Sequence, residues 1–181
     1  MGANPSGAPT RSHPAAATES GASGTLHASV VLVGARAILI RGESGSGKSR
    51  LALELLQAAA GGRVAFARLV ADDRVLVAPA HGRLVARPPA PLAGLLEIRG
   101  LGIRRLPYEP VAAVGLVVDL AAPAERLPQD EALETQIEEV RLPRLAVAAG
   151  TNPFPLVLAA LTWVWSRPEA SSSDRALAVP P

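Results

Sequence analysis

The octet Gly42-Glu43-Ser44-Gly45-Ser46-Gly47-Lys48-Ser49 satisfies every fixed position of the pattern G-x-x-x-x-G-K-[ST]. It constrains the fold because such a loop works only between a strand and a helix. Its glycines let backbone N–H groups turn towards an anion, and the helix that follows adds its positive end. The flanking sequence supplies both. Residues 29–33 and 36–40 are β-rich runs separated by Gly34-Ala35, which predicts a hairpin whose second strand feeds the loop. Helix propensity begins at Lys48, with Leu51, Ala52, Leu55 and Ala59 on one face, and Gly61-Gly62 ends it. Lys48 is also the only lysine among the 18 basic residues, the others being arginine. A compact ammonium kept where a side chain must reach between phosphates predicts that Lys48 contacts the β and γ phosphates of a nucleoside triphosphate. The Ser49 hydroxyl is then expected on magnesium.

Beyond the loop, residues 68–71 read as a strand running into Asp72-Asp73, and 74–77 with 83–85 as a hairpin across Pro79-Ala80-His81-Gly82. Residues 95–98 form a short apolar segment, and 114–120 are a continuous apolar run suited to a central strand. Residues 124–139 are polar and expected to be partly helical, 142–147 give one more strand, and Asn152 is placed to cap a last helix over 153–165. The expected class is α/β, one phosphate-loop domain with a mixed sheet and flanking helices. Residues 1–24, rich in Ala, Gly, Ser, Pro and Thr, are expected to be a disordered leader, and 167–181 a disordered tail, leaving 25–166 as the folded domain.

Composition excludes several classes. No cysteine means no disulfide framework, thiol chemistry or Cys-based zinc site. The net charge of +2 comes without a basic run, so no nucleic-acid partner is expected. No secretion signal stands at the start, and no apolar stretch reaches the roughly 18 residues that span a bilayer. A cytoplasmic protein without membrane contact is the expectation.

Chemistry converges on two further places. Asp72-Asp73 sit at the end of an apolar strand, where successive side chains diverge; one can orient magnesium while the other takes a proton from an accepting hydroxyl. Glu97 and Arg99, two residues apart in Leu96-Glu97-Ile98-Arg99-Gly100-Leu101-Gly102-Ile103, could complete a magnesium shell and neutralise phosphate. His27 precedes the first strand of the hairpin, and Arg126 lies in the polar stretch.

Together these elements resemble the catalytic, C-terminal domain of HPr kinase/phosphorylase, the bacterial enzyme that phosphorylates a serine of the phosphocarrier protein HPr. That family shows a histidine before a β-hairpin, a similar glycine loop followed by Ala52-Leu53-Glu54-Leu55, then Leu69-Val70-Ala71-Asp72-Asp73-Arg74-Val75 and the octet 96–103. The last is the most specific element, and order and spacing agree from residue 25 to about 162. The resemblance implies a fold like that of phosphoenolpyruvate carboxykinase, ATP and Mg2+ as cofactors, HPr of the phosphotransferase system as substrate, and a homo-oligomer, a hexamer in the family. It implies that His27, Lys48 and Arg126 are catalytic and that Ser49 and Glu97 ligate magnesium. The aspartate pair then supplies the base, Asp72 being favoured and Asp73 left open. The short leader fits the compact form found in some proteobacteria. One departure matters: Thr151 stands where the larger enzymes carry an arginine in a segment associated with dephosphorylation, so phosphorylase activity is left open while serine kinase activity is expected. Two alternatives remain. One is a phosphate-loop ATPase or small-molecule kinase using Asp119 as its magnesium carboxylate, and the other a nucleotide-binding regulatory module without transfer chemistry.

Overall fold

The computed structural model describes residues 24–164. The expected tail and all of the expected leader but Gly24 lie outside them, as do Trp165, the end of the expected last helix, and Ser166.

Eleven strands and two helices are found among the described residues. The first, β1 (Gly24–Leu26), was not legible in the sequence. The hairpin before the glycine loop forms as expected, from β2 (Ala28–Val33) and β3 (Arg36–Arg41), paired antiparallel from Ala28↔Arg41 to Val33↔Arg36. The loop then leads into α1 (Lys48–Ala60), whose end is fixed by the amides of Gly61 and Gly62 donating to the carbonyls of Gln57 and Ala59. β4 (Ala67–Ala71) returns alongside β2, and β5 (Val75–Ala80) and β6 (Arg83–Arg87) form the expected hairpin over the tighter turn His81-Gly82. β7 (Leu95–Ile98) pairs with β8 (Gly102–Arg105) as a separate two-stranded sheet.

β9 (Ala112–Leu120) is the spine. It runs parallel to β3, and on its other edge pairs with β6 at Ala112 and Ala113, then with β11 (Val140–Val147) from Val117 to Leu120. The sheet therefore branches at β9, with order β1-β5-β6-β9-β3-β2-β4 along one path and β10 (Glu134–Ile137) and β11 on the other. The expectation of partial helix over 124–139 is met only by a 3-10 turn at Asp130–Leu133, and the strand β10, not expected, follows it. The reason is tertiary. Ile137, Val140 and Leu142 bury in the strand-lined core, and the antiparallel pairing of β10 with β11 overrides a weak local helical tendency.

Alternation along the central strands explains both cores. Ala37 and Leu39 of β3 face one cluster, walled by strands, while Ile38 and Ile40 face the other, under the helices. Leu51, Ala52, Leu55 and Ala58 of α1 fill that second core together with Phe154 and Val157 of α2 (Pro153–Val164). The amide of Phe154 donates to the Asn152 side chain at 3.1 Å, the expected cap. With both faces covered, the middle of β3 and β9 up to Val118 are apolar throughout.

Candidate active site

The glycine loop lies at the C-terminal end of β3, where the parallel neighbour β9 also ends. Gly42 takes a φ of +150°, and a Cβ there would stand 2.6 Å from Ser46 Oγ and 3.1 Å from the Leu120 carbonyl, so the loop folds tightly against the end of β9. Gly47 takes φ +98° and hands the chain to α1, whose first amides have no intrahelical acceptor. Lys48 is buried, its Nζ donating to the carbonyls of Gly42 and Glu43 at 2.9 Å each. The ammonium is thereby aligned along the loop it serves. Ser46 Oγ is buried without a hydrogen-bond partner among the described residues. An orphaned hydroxyl beside a lysine and a helix N-terminus fits an anionic ligand that supplies the missing contact.

The two aspartates part ways. Asp72 is only 5% exposed and accepts from three directions: Ser29 Oγ at 2.5 Å, Ser49 Oγ at 2.9 Å and the backbone amide of Glu97 at 3.2 Å. It joins the strand core, the start of α1 and β7. Asp73 points outwards, 3.1 Å from His27 Nε2, with the two side chains 68% and 46% exposed. The backbone makes this split. Asp73 has φ +65°, and the Arg74 amide reaches back to the Asp72 carbonyl at 2.8 Å, a three-residue turn that swings successive carboxylates apart. Such a turn is strained for a residue with a side chain, and strain of this kind collects at functional sites. The pairing of β1 with β5, with Leu26 opposite Val75, delivers His27 to Asp73.

Glu97 touches the cluster through its amide, while its side chain is solvent-exposed. No group of three or more His, Cys, Asp or Glu converges among the described residues. Ser49 and Asp72 nevertheless bring hard hydroxyl and carboxylate oxygens together beside the phosphate loop, with Glu97 joined to them through its amide. Magnesium takes one or two carboxylates and completes its shell with phosphate and water, so the donors fit it. Arg99 and Arg126 are both exposed and form no ion pair or hydrogen bond among the described residues. The structure brings together His27, the 42–49 loop, Asp72, Asp73 and Glu97, and leaves these two arginines outside the hydrogen-bonded cluster.

Asp119 is otherwise engaged. Arg41 grips it through Nε at 2.6 Å and Nη2 at 2.8 Å, and Arg144 Nε adds a third contact at 2.6 Å. Burial pushes its carboxyl up, but the hydrogen bonds and charges of Arg41 and Arg144 outweigh that and hold it below the ordinary carboxylate range. A carboxylate committed to two guanidiniums has little left for a metal.

Sequence reasoning missed Ser29, Arg41 and Arg144. Ser29 did leave a signal, as the one polar residue in the otherwise apolar β2, fully buried. The arginines left none, since their meeting depends on the register of β3, β9 and β11.

Comparison with known proteins agrees with this geometry. Residues 19–108 match the family model of the HPr Serine kinase C-terminal domain. Over these residues the chain is similar to that family. Among curated proteins it resembles HPr kinase/phosphorylase of Clostridium beijerinckii, 46% identical over 78 residues, which is 43% of this chain and 24% of the relative. HPr kinase/phosphorylase of Clostridium tetani is 45% identical over 82 residues, 45% of this chain and 25% of the relative. The matched stretch thus spans about a quarter of these relatives' length. In three dimensions the chain resembles the Hpr(Ser) kinase/phosphatase from Coxiella burnetii, with a TM-score of 0.62 and 25% identity, covering 77% of this chain and 94% of that one. The fold is the mixed α/β architecture of that enzyme. No helix among the described residues is long and apolar enough to cross a membrane.

Proposed function

We propose that this chain is an ATP-dependent serine kinase whose substrate is the phosphocarrier protein HPr. The observation that carries the reading is the division of labour between the two aspartates. Asp72, buried and held by Ser29, Ser49 and the Glu97 amide, cannot easily approach a protein substrate. It suits the role of orienting Ser49 and the metal. Asp73, exposed and beside His27, suits the role of base. This reading moves the base from Asp72, the residue favoured by the sequence, to Asp73.

The chain's own groups then act in a defined order. The loop amides and the α1 N-terminus hold the phosphates, and the Lys48 ammonium exchanges its loop carbonyls for phosphate oxygens. Ser49, Asp72 and Glu97 would hold magnesium, which when bound neutralises charge on the phosphate oxygens. Asp73 accepts the proton from the serine hydroxyl as its oxygen forms the new bond to the γ phosphorus and the bond to the β-phosphate oxygen breaks. His27 Nε2, 3.1 Å from it, steadies the Asp73 carboxylate. Arg126 remains a proposal of the resemblance alone.

The test is transfer of labelled γ-phosphate from ATP to HPr by the full chain. Asp73→Asn is expected to lower kcat by about 10²–10⁴-fold with ATP binding intact, the contribution ordinary for a general base. Asp72→Asn is expected to weaken Mg-ATP binding first. Unchanged transfer in Asp73→Asn would remove the assignment, and no transfer by the unaltered chain would remove the reading. Adding inorganic phosphate to labelled HPr in the same assay tests reverse transfer.

A further inference from the structure

The β7–β8 hairpin hangs from the catalytic cluster by the Glu97 amide, yet its outer strand is solvent-exposed at all four residues. Among the described residues β8 pairs only with β7, so its other edge presents unpaired backbone groups there. Two large apolar side chains stand in water there, Leu101 at 58% and Ile103 at 64% exposure. Around them lie Arg99, Arg104 and Arg105. None of these three is paired with a carboxylate among the described residues, unlike Arg41, Arg50, Arg68, Arg141 and Arg144. Arg36, Arg63, Arg74, Arg83 and Arg126 share that state, but only these three gather on one hairpin with exposed apolar side chains. Arg104 and Arg105 reach only backbone carbonyls, of Ile103 and Ala93. The register sets Glu97 opposite Ile103 and Leu95 opposite Arg105, so Ile103 and Arg105 continue the face that carries Glu97.

We propose that this hairpin is the docking ledge for the acceptor protein, and that it takes an extended acidic segment with an apolar residue between its carboxylates. The proposal rests on the kinase reading above. Unpaired guanidiniums complement carboxylates, Ile103 and Leu101 supply the apolar anchor, and the free edge can add one strand. Because the ledge begins at Glu97, a segment held on it runs directly to the phosphate loop and Asp73.

The experiment measures equilibrium binding of HPr to the full chain by calorimetry at two salt concentrations, alongside phosphoryl transfer. Arg104→Glu with Arg105→Glu is expected to weaken binding at least about tenfold and to flatten its salt dependence, two exposed charge pairs being reversed. Ile103→Ser is expected to weaken binding several-fold without changing the salt dependence. ATP binding should be unchanged in both variants, which also reports that they are folded. A peptide alternating Glu with Leu should compete with HPr, and its Lys counterpart should not. HPr binding unaffected by both variants overturns the ledge, as does no binding at all, or an oligonucleotide outcompeting the acidic peptide through the same arginines. Binding lost in the variants while the unaltered chain transfers no phosphate sustains the ledge and sinks the kinase reading alone.

Discussion

Replacing Asp119 by Asn separates a structural carboxylate from a catalytic one. The native side chain is 14% exposed and accepts three hydrogen bonds of 2.6–2.8 Å from Arg41 and Arg144, themselves 30% and 23% exposed. Removing one partner of a fully buried pair costs about 3–5 kcal/mol, because the other charge is stranded. Here the guanidiniums can partly rehydrate, so roughly half, about 2 kcal/mol, is the reasoned figure. With a urea m-value of about 1.5–2 kcal/mol/M, the unfolding midpoint should drop by about 1 M at pH 7. Far-UV circular dichroism of the full chain reads it. The pH dependence has a definite sign. A carboxyl whose folded pKa is depressed stabilises the fold above its unfolded pKa of about 3.9, and that contribution fades as pH falls through the lower folded value. The gap between native and variant should therefore be full at pH 7 and close below about pH 4. A midpoint shift under about 0.2 M at pH 7, or a gap that does not narrow in acid, would refute the reasoning. The variant also decides a functional question. If Asp119 were the magnesium carboxylate of a different kind of ATPase, Asp119→Asn would abolish turnover even where the protein is fully folded. In the present reading the folded fraction keeps its transfer activity.

Leu55→Ala, at a fully buried position of α1 against both the sheet and α2, should lower stability by about 2–5 kcal/mol, measured by urea unfolding. Gly42→Ala places a methyl 2.6 Å from Ser46 Oγ at a φ of +150° and should weaken ATP binding at least about tenfold with a smaller loss of stability, read by titration with a fluorescent ATP analogue. A lysine-directed acylating reagent should modify only Lys48 and the amino terminus, and ATP should protect Lys48 alone, as peptide mass mapping would show.

Much of the fold was readable because its local signals are strong. The octet 42–49 demands a strand before and a helix after, and Gly61-Gly62 can hardly continue α1. The apolar run of β9 could be seen as a strand buried on both faces. The polar stretch 124–139 could not be read, because β10 exists only through its pairing with β11. The site divides in the same way. Lys48, Ser49, the aspartate pair and His27 announce themselves by residue type and position.

By itself, the order of residues determined that a phosphate-binding loop sits between a hairpin and a helix, with acids and a histidine close at hand. Only the tertiary structure decided where each aspartate lies and what it touches. A turn with positive φ at Asp73 sends Asp72 inwards to Ser29 and Ser49, and Asp73 outwards to His27. It likewise withdrew Asp119 from the list of metal ligands by placing Arg41 and Arg144 on it. The physical reason is that a carboxylate's role follows from its burial and its donors. Those come from strands distant in sequence, whose register no local pattern encodes.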